Sequence, residues 1–287
     1  MQVAVVTDST AYLPEGFADR HSITVVPLYV LIDGDAGLDG IDIGPAELAA
    51  ALKKKRKVTT SMPTPDEFIK VFRTLLDDGA DAVVSVHLSS ELSGTWSSAV
   101  RAAEEVGSDR VRVVDSRTTV MGLGYAALHA AAAAADGARP AAVEAAAVDA
   151  ASMSRTMFVV ETLEHLRRGG RIGAATALLG TALAMKPVLH IDEGKIRPLE
   201  KVRTTSRAMA RLVELAARAA GDERAELAVH HLAAPERALT LARHLEEKIP
   251  LADGCVVSEL GAVIGAHTGP GVLGVVVQRL DPMHLRH

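Results

Sequence analysis

Aromatic side chains are scarce in this 287-residue chain, at 3% of all residues. The hydrophobic core must therefore be built from alanine and the aliphatic residues that dominate the 48% hydrophobic content. There is one cysteine, Cys255, which excludes a disulfide framework and a thiolate metal cluster. We expect Cys255 to be a buried strand residue, and the low cysteine content suits a reducing, cytoplasmic location.

The chain also lacks a basic excess, because 31 Lys and Arg residues face 36 Asp and Glu residues for a formal net charge of −5. This balance argues against a general nucleic-acid-binding protein. No basic segment precedes the apolar N-terminal residues, as a signal peptide would require. The most apolar stretch, 120–135, is rich in alanine and is interrupted by His129. It predicts a buried helix and not a membrane span.

Motifs for nucleotide and metal binding are missing as well. The sequence has no P-loop, and the GxGxxA pattern at 122–127 is separated from its preceding strand, so we interpret it as helix packing. The neighbouring His230 and His231 would point to opposite faces of a strand and could not share one ion. We therefore predict neither a metal nor a cofactor.

Short apolar strands alternate with helical segments along the chain. Predicted strands lie at 2–6, 23–32, 82–87 and 111–114, and predicted helices at 65–75, 93–106, 119–135 and 140–151. A second cycle begins near residue 154, with a β-hairpin at 188–202 and two last strands around a glycine-rich loop. The pattern predicts two α/β domains, 1–153 and 154–287, with largely parallel sheets covered by helices.

Four polar loops stand at the predicted carboxyl ends of strands, where ligands bind in open α/β sheets. They span 7–10, 59–63, 88–95 and 265–271, and three of them are crowded with hydroxyl groups. Hydroxyls together with free backbone N–H groups at a helix start can bind an anion without a formal positive charge. The plainer interpretation is that these residues cap helices and fill turns.

Seven short motifs, in order along nearly the whole chain, resemble the signature loops of the DegV family. The motifs are TDST at 7–10, TSMP at 60–63, LSGT at 92–95, GGRI at 169–172, KP at 186–187, KVRT at 201–204 and HTGPG at 267–271. The resemblance implies a tunnel between two α/β domains that holds one long-chain fatty acid, with no other cofactor. This family is also described as the FakB subunit of bacterial fatty acid kinase.

The resemblance further implies which residues touch the ligand. Thr60 and Ser93 would hydrogen-bond the carboxylate, with the backbone N–H groups of Ser93 and Gly94 as further donors. His267 would lie beside the carboxylate, Arg171 near the site where the partner docks, and Ser61 and Thr268 are further ligand-binding residues. Asp8, Ser9 and Thr10 form a further candidate ligand loop. Met62 stands where the family usually has Gln, which puts one polar contact of this loop in doubt. The apolar segment 174–185 either lines the tunnel or forms a plain core helix.

A FakA-like kinase subunit is the partner that the resemblance implies. It would phosphorylate the bound carboxylate with ATP to give an acyl phosphate for phospholipid synthesis. The basic run KKKRK at 53–57 is either a solvated helix end or a docking patch for that kinase or for an anionic membrane surface.

Two other functions remain open from the sequence. Ser93, His267 and Asp8 are the residue types of a hydrolase triad for acyl esters, although Ser93 lacks a GxSxG motif. A sugar-phosphate or similar small ligand at the same loops would need a short polar pocket instead of a long apolar one.

Overall fold

The computed structural model describes residues 1–178 and 186–280. The strands are β1 (Val3–Asp8), β2 (Ile23–Val26), β3 (Tyr29–Ile32), β4 (Asp35–Leu38), β5 (Val58–Ser61), β6 (Ala82–His87), β7 (Val111–Asp115), β8 (Ser154–Val159), β9 (Lys186–Asp192), β10 (Lys195–Val202), β11 (Ala225–His231), β12 (Ala252–Glu259) and β13 (Leu273–Arg279). The helices are α1 (Phe17–Arg20), α2 (Pro45–Lys53), α3 (Pro65–Asp77), α4 (Thr95–Val106), α5 (Met121–Ala135), α6 (Pro140–Met153), α7 (Glu164–Arg168), α8 (Thr205–Ala220), α9 (Pro235–Lys248) and α10 (Ala262–Thr268).

The first sheet is parallel throughout, in the order β2-β1-β6-β7. One face packs against α3 and α4 through Phe68, Phe72 and Ala99, and the other against the alanine-rich α5 and α6. The predicted start of α3 is confirmed: Thr64 Oγ1 accepts from Glu67 N, and the Glu67 carboxylate accepts from Thr64 N at 2.7 Å. Parallel strands covered on both faces explain why these strands are apolar on both sides.

The second sheet has the order β10-β9-β8-β13-β11-β12 and is mixed. Strands β11 and β12 run parallel, whereas each other neighbouring pair is antiparallel. The α/β class is confirmed, but the expectation of largely parallel strands is wrong for this sheet. One reason is that β9 and β10 form the predicted hairpin, whose strands are antiparallel. The other is that β13 lies between β8 and β11 and runs antiparallel to both.

A third sheet, β4-β3-β5, is small and antiparallel. Residues 23–32 were expected to form one strand, but they form two, because Pro27 has no N–H to continue a ladder. The second of the two, β3, pairs with β5 and so fixes Thr60 opposite Val30. The glycine-rich loop expected at 265–271 is partly helical, because α10 extends to Thr268. Gly269 follows as the C-cap residue with a φ of 76°, a backbone conformation that favours glycine.

A hydrophobic cluster joins the two halves of the chain. Leu28, Val30 and Leu48 from the first half pack with Phe158 and Val276 from the second. Helix α6 ends at Met153 and β8 begins at Ser154, where the domain boundary is predicted. No helix within the described ranges is long and apolar enough to cross a membrane.

Cys255 lies on β12 and is partly buried, close to its expected place in a strand. Burial, with a smaller contribution from the negative charge of Glu246, raises the pKa of this thiol to about 12. The thiol therefore stays protonated and unreactive near neutral pH.

Candidate functional site

A cavity lies against the cluster that joins the two halves, and the empty space between its lining residues is about 880 Å³ with open solvent included. Its walls are mostly aliphatic and include Leu28, Leu88, Phe158, Ile191 and Val276. Its polar lining includes six residues that the sequence had singled out: Thr60, Ser61, Ser93, Arg171, His267 and Thr268. The fold thus brings together side chains that are up to 208 positions apart, although their roles toward a ligand stay a prediction.

Thr60 and His267 form the central contact at this polar end. Thr60 Oγ1, near the end of β5, lies 2.8 Å from Nε2 of His267 on α10. The imidazole packs so closely on Gly169 that a Cβ there would lie 2.0 Å from His267 Nδ1. Glycine is therefore required at 169, and the GGRI motif is explained by this contact.

The protonation state of His267 follows from its surroundings. Burial, followed by the positive charge of Arg171, lowers the pKa of His267 to about 4, so the ring is neutral at pH 7. Its Nδ1 is buried and has no hydrogen-bond partner among the residues that the structure describes. Because orphaned buried N–H donors are rarer than orphaned acceptors, we assign the ring proton to Nε2. Nε2–H then donates to Thr60 Oγ1, which leaves the Thr60 hydroxyl proton free for an acceptor in the cavity.

Arg171 supplies a positive charge beside this pair. Its Nε donates to the Leu92 carbonyl at 2.9 Å and its Nη1 to the Gly169 carbonyl at 2.6 Å. The guanidinium is thus held by neutral carbonyl groups, and no carboxylate in residues 1–178 or 186–280 forms an ion pair with it. An anion in the cavity would meet a charge that the protein itself does not neutralise.

Ser93 and Gly94 stand at the start of α4. Ser93 Oγ lies 2.9 Å from Thr95 Oγ1 and accepts from Thr95 N at 3.3 Å. Gly94 is the N-cap residue and has no side chain to bond the first-turn N–H groups. These N–H groups and the helix dipole favour a negative charge nearby.

Met62 covers this helix start. A Cβ on Gly94 would lie 2.3 Å from Met62 Sδ, so the thioether rests directly on the glycine. Met62 is 45% exposed. The residue therefore shields the polar end of the cavity from solvent with an apolar group, instead of contributing a hydrogen bond.

The candidate ligand loop at Asp8 is not part of this cavity. Asp8 Oδ2 lies 3.0 Å from His87 Nδ1 and accepts from Leu88 N at 3.0 Å. Asp8 Oδ1 accepts from the backbone N and the hydroxyl of Thr10, at 3.1 Å and 2.6 Å. Asp8 and Thr10 are fully buried and bonded to other groups of the protein, so their role toward a ligand stays a prediction.

Ser9 contributes to a contact that could not be predicted from the sequence. Its hydroxyl donates to Asp39 Oδ2 at 2.9 Å, and Asp39 Oδ1 accepts from Ala262 N at 2.7 Å and Val263 N at 3.3 Å. Asp39 thereby caps α10, the helix that carries His267, from more than 220 positions away. Burial raises the pKa of Asp39 despite these hydrogen bonds. No local signal marks Asp39, because its partners are close only after folding.

The hydrolase alternative is not supported by this geometry. Asp8 bonds His87 and not His267, and the Nδ1 of His267 has no carboxylate to orient it. A different Ser–His–Asp chain exists, since Ser85 Oγ lies 2.7 Å from His87 Nε2. Ser85, His87 and Asp8 are all fully buried, so no substrate reaches them.

Two further features of the sequence are segment 174–185 and the basic run at 53–57. Segment 174–185 is described only to Leu178: Ala175 is buried in the core, and 179–185 lie outside the described residues. Within the basic run, Arg56 Nε pairs with Asp33 Oδ2 at 2.6 Å, and the run is exposed.

His230 and His231 have separate partners. His230 accepts from Met121 N at 3.1 Å through Nε2, whereas Nδ1 of His231 faces Ala234 N at 3.4 Å. In the described part of the chain, no group of three or more His, Cys, Asp or Glu side chains is placed to hold a metal.

Comparisons with known proteins place this geometry in context. The family model for the DegV family of uncharacterised proteins matches residues 2–280. A DegV domain-containing protein of Streptomyces coelicolor is 55% identical over 276 residues, covering 96% of this chain and 98% of that protein. A DegV family structure from Thermus thermophilus, described for its fatty acid binding, has a TM-score of 0.93 at 36% identity and covers 98% of this chain and 100% of its own. DegV of Bacillus subtilis, described as a fatty acid binding protein, has a TM-score of 0.88 at 35% identity with the same coverage.

Proposed function

The chain belongs to the DegV family, and we propose that it binds one long-chain fatty acid with the carboxylate at Thr60 and Ser93 and the acyl tail in the cavity. The single observation that carries this proposal is that the Thr60–His267 pair and Arg171, whose guanidinium has no carboxylate partner among the described residues, line one aliphatic cavity. The solved relatives described as fatty acid binding support it.

The acyl tail would supply most of the binding free energy. Burying one methylene is worth roughly 0.8 kcal/mol, so a chain of about fifteen methylenes offers an upper limit of roughly 12 kcal/mol before entropy costs. The aliphatic walls and the scarcity of rings suit a flexible straight chain. A sugar-phosphate would leave these walls without a partner, which argues against a small polar ligand.

The head group would be oriented by the polar side chains at one end of the cavity. In this proposal the Thr60 hydroxyl, aligned by His267, and the Ser93 hydroxyl donate to the carboxylate, while Ser61 and Thr268 border it. Arg171 and the N–H groups that follow Gly94 compensate its charge. The acid would therefore be bound as an anion even though the protein is acidic overall.

We also propose that the bound carboxylate is presented to an ATP-dependent, FakA-like kinase subunit, as in a FakB-type carrier. A carboxylate oxygen would attack the γ-phosphorus of ATP, releasing ADP and leaving an acyl phosphate for phospholipid synthesis. Ser61 is exposed and Met62 is 45% exposed, so this end of the cavity lies near the surface where a partner can reach it. The exposed basic run at 53–57 would bind an acidic kinase surface or contact an anionic membrane surface.

Native mass spectrometry of the purified protein tests the carrier function. We expect a bound mass of a long-chain fatty acid, and we expect the delipidated protein to take up one added acid per chain. Delipidated protein that remains folded by circular dichroism but binds no acyl chain in a fluorescence displacement assay would contradict the proposal.

The kinase step has a separate test. Purified FakA-like kinase, ATP and the loaded protein should yield an acyl phosphate that hydroxylamine traps as an acyl hydroxamate, and omission of either protein should abolish it. Fatty acid binding without any trapped product, with a kinase active on another carrier, would remove the kinase partnership and leave the carrier function intact.

A further inference from the structure

The hairpin formed by β9 and β10 in the second half of the chain contacts the first half at its tip. Its two-residue turn is Glu193–Gly194, and both residues have a positive φ, 48° and 79°, as a type I′ turn requires. Arg117 Nη2 donates to the Glu193 carbonyl at 3.1 Å, and Ser89 Oγ donates to the Gly194 carbonyl at 2.8 Å. The turn is therefore held by two side chains from outside its own sheet.

Ser89 makes the shorter of these two contacts and is fully buried. A Cβ on Gly194 would lie 2.5 Å from Ser89 Oγ, so the turn rests directly on the serine. The same hydroxyl accepts from Glu91 N at 3.2 Å, and Ser89 N donates to the Thr118 carbonyl at 2.8 Å. Ser89 does not line the cavity, and its polar groups are bonded within the protein.

The backbone of Ser89 also holds the backbone of Ser93. The Ser89 carbonyl accepts from Leu92 N at 3.0 Å and from Ser93 N at 3.1 Å, which closes the turn that leads into α4. Ser93 lines the cavity. One buried residue thus connects the tip of the hairpin with a residue of the candidate head-group site, through one hydrogen bond on each side.

The hairpin itself forms part of the aliphatic wall of the cavity. Ile191 of β9 and Ile196 of β10 both line the cavity, and they pair with each other in the ladder. Only one residue pair, Asp192 with Lys195, separates them from the turn. The contact at Ser89 therefore acts on the hairpin within two residues of the wall that an acyl tail would touch.

We propose that Ser89 is a positioning residue for fatty acid binding. It holds the Ser93 hydroxyl in a fixed place relative to the hairpin wall, so that the carboxylate meets Ser93 while the tail lies against Ile191 and Ile196. Binding groups must be held within about 0.5 Å of the productive geometry, which supporting hydrogen bonds achieve. This inference rests on the proposed fatty acid binding and adds a residue that does not touch the ligand.

A double-mutant cycle on the delipidated protein tests whether Ser89 acts through Ser93. Isothermal titration calorimetry measures the affinity for octadecanoic acid in each variant. We expect Ser89→Ala to weaken binding about threefold, no more than the loss caused by Ser93→Ala. In the Ser93→Ala background, Ser89→Ala should have no further effect, because no hydroxyl is left to be positioned.

Ser90→Ala is the matched control, because Ser90 is the next serine of the same loop but its Oγ donates to Asp115 Oδ2 at 2.5 Å, within the first half of the chain. It should leave the affinity unchanged. Gly194→Ala disturbs the contact from the hairpin side, since the added Cβ would collide with Ser89 Oγ. It should weaken binding more when Ser93 is present than in the Ser93→Ala background, and it carries the test if Ser89→Ala does not fold.

Octadecan-1-ol distinguishes positioning of the head group from a general loosening of the wall. It has the same tail without a negative charge, so Ser89→Ala should weaken its binding less than that of the acid. Unchanged acid affinity in Ser89→Ala, equal losses for acid and alcohol, or additive losses in the double variant would overturn the inference. Failure of the unsubstituted protein to bind the acid would instead reject the proposed function itself. Circular dichroism at the temperature of the titrations shows which variants are folded.

Discussion

The Asp8 loop and the head-group end of the cavity look alike in the sequence, since both are short runs of hydroxyl residues after strands. In the fold they differ completely. The Asp8 carboxylate is surrounded by His87, Leu88 N and Thr10, which contact both of its oxygens. At the polar end of the cavity, the assigned His267 tautomer leaves the Thr60 hydroxyl proton free, and Arg171 has no carboxylate partner among the described residues.

This difference distinguishes polar groups that stabilise the fold from polar groups that are available to a ligand. A buried polar group whose partners all come from the protein stabilises the fold, and removing it should lower stability and spare binding. A polar group whose partners are missing from the chain is available to a ligand, and removing it should spare stability and lower binding. Substitutions in the two regions can therefore contradict or strengthen the comparison directly.

Asp8→Ala should have the largest effect. It leaves the His87 ring and two backbone N–H groups buried without an acceptor, so we expect the free energy of unfolding to fall by about 3–5 kcal/mol. Urea denaturation measures the loss. Fatty acid affinity per folded molecule should be unchanged, and a stable Asp8→Ala protein with impaired binding would make this loop part of the site.

The pH dependence of stability should report on His267. Its folded pKa, lowered from 6.5 to about 4 by burial, means that the unfolded chain takes up the proton first as the pH falls. The stability contribution is fully present above pH 6.5 and is lost between there and about pH 4, by at most about 3 kcal/mol. His267→Gln, whose amide can still donate to Thr60, should show a shallower decrease over this range in urea titrations. Identical pH profiles for both proteins would refute the neutral buried ring.

Asp39→Ala should weaken both stability and binding. Loss of the cap on α10 should lower the free energy of unfolding by about 1–3 kcal/mol, and the shift of His267 away from Thr60 should weaken binding several-fold. Asp39→Asn is the control, because its amide oxygen can still accept from Ala262 N and Val263 N. Full binding by Asp39→Ala at temperatures where it is folded would separate Asp39 from the site.

Ser93→Ala should have the smallest effect on affinity. It removes one head-group hydrogen bond, worth about 0.5–1.5 kcal/mol, while the tail keeps its contacts. Calorimetry should show a loss of about threefold to tenfold with no change in melting temperature, and phosphorylation by the kinase should suffer more than binding. An equal loss of binding and phosphorylation would contradict the division between head and tail.

Local features of the fold were predictable from the sequence, and distant contacts were not. The capping box at Thr64, the hairpin before Val202 and the alanine-rich α5 and α6 follow from spacing over a few residues. The position of β13 between β8 and β11 depends on strand pairing across the whole second half of the chain. The antiparallel direction of these strands was therefore not predicted.

The candidate site shows the same limit. Thr60, Ser93, Arg171 and His267 were found because their motifs resemble those of the DegV family, and the fold gathers them at one cavity. The same resemblance also puts Asp8 among the ligand residues; in the fold its carboxylate contacts His87, and its role toward a ligand stays a prediction. Asp39 has no motif at all, because its role depends on a helix more than 220 positions later.

The location of the acid carboxylate in a crystal structure of the loaded protein tests the central claim most directly. The account predicts a carboxylate within hydrogen-bond distance of the Thr60 and Ser93 hydroxyls, beside Arg171, with the tail running past Phe158 and the Asp8 contacts unchanged. A carboxylate bound at Asp8, Ser9 and Thr10, or a tail outside the cavity, would contradict it.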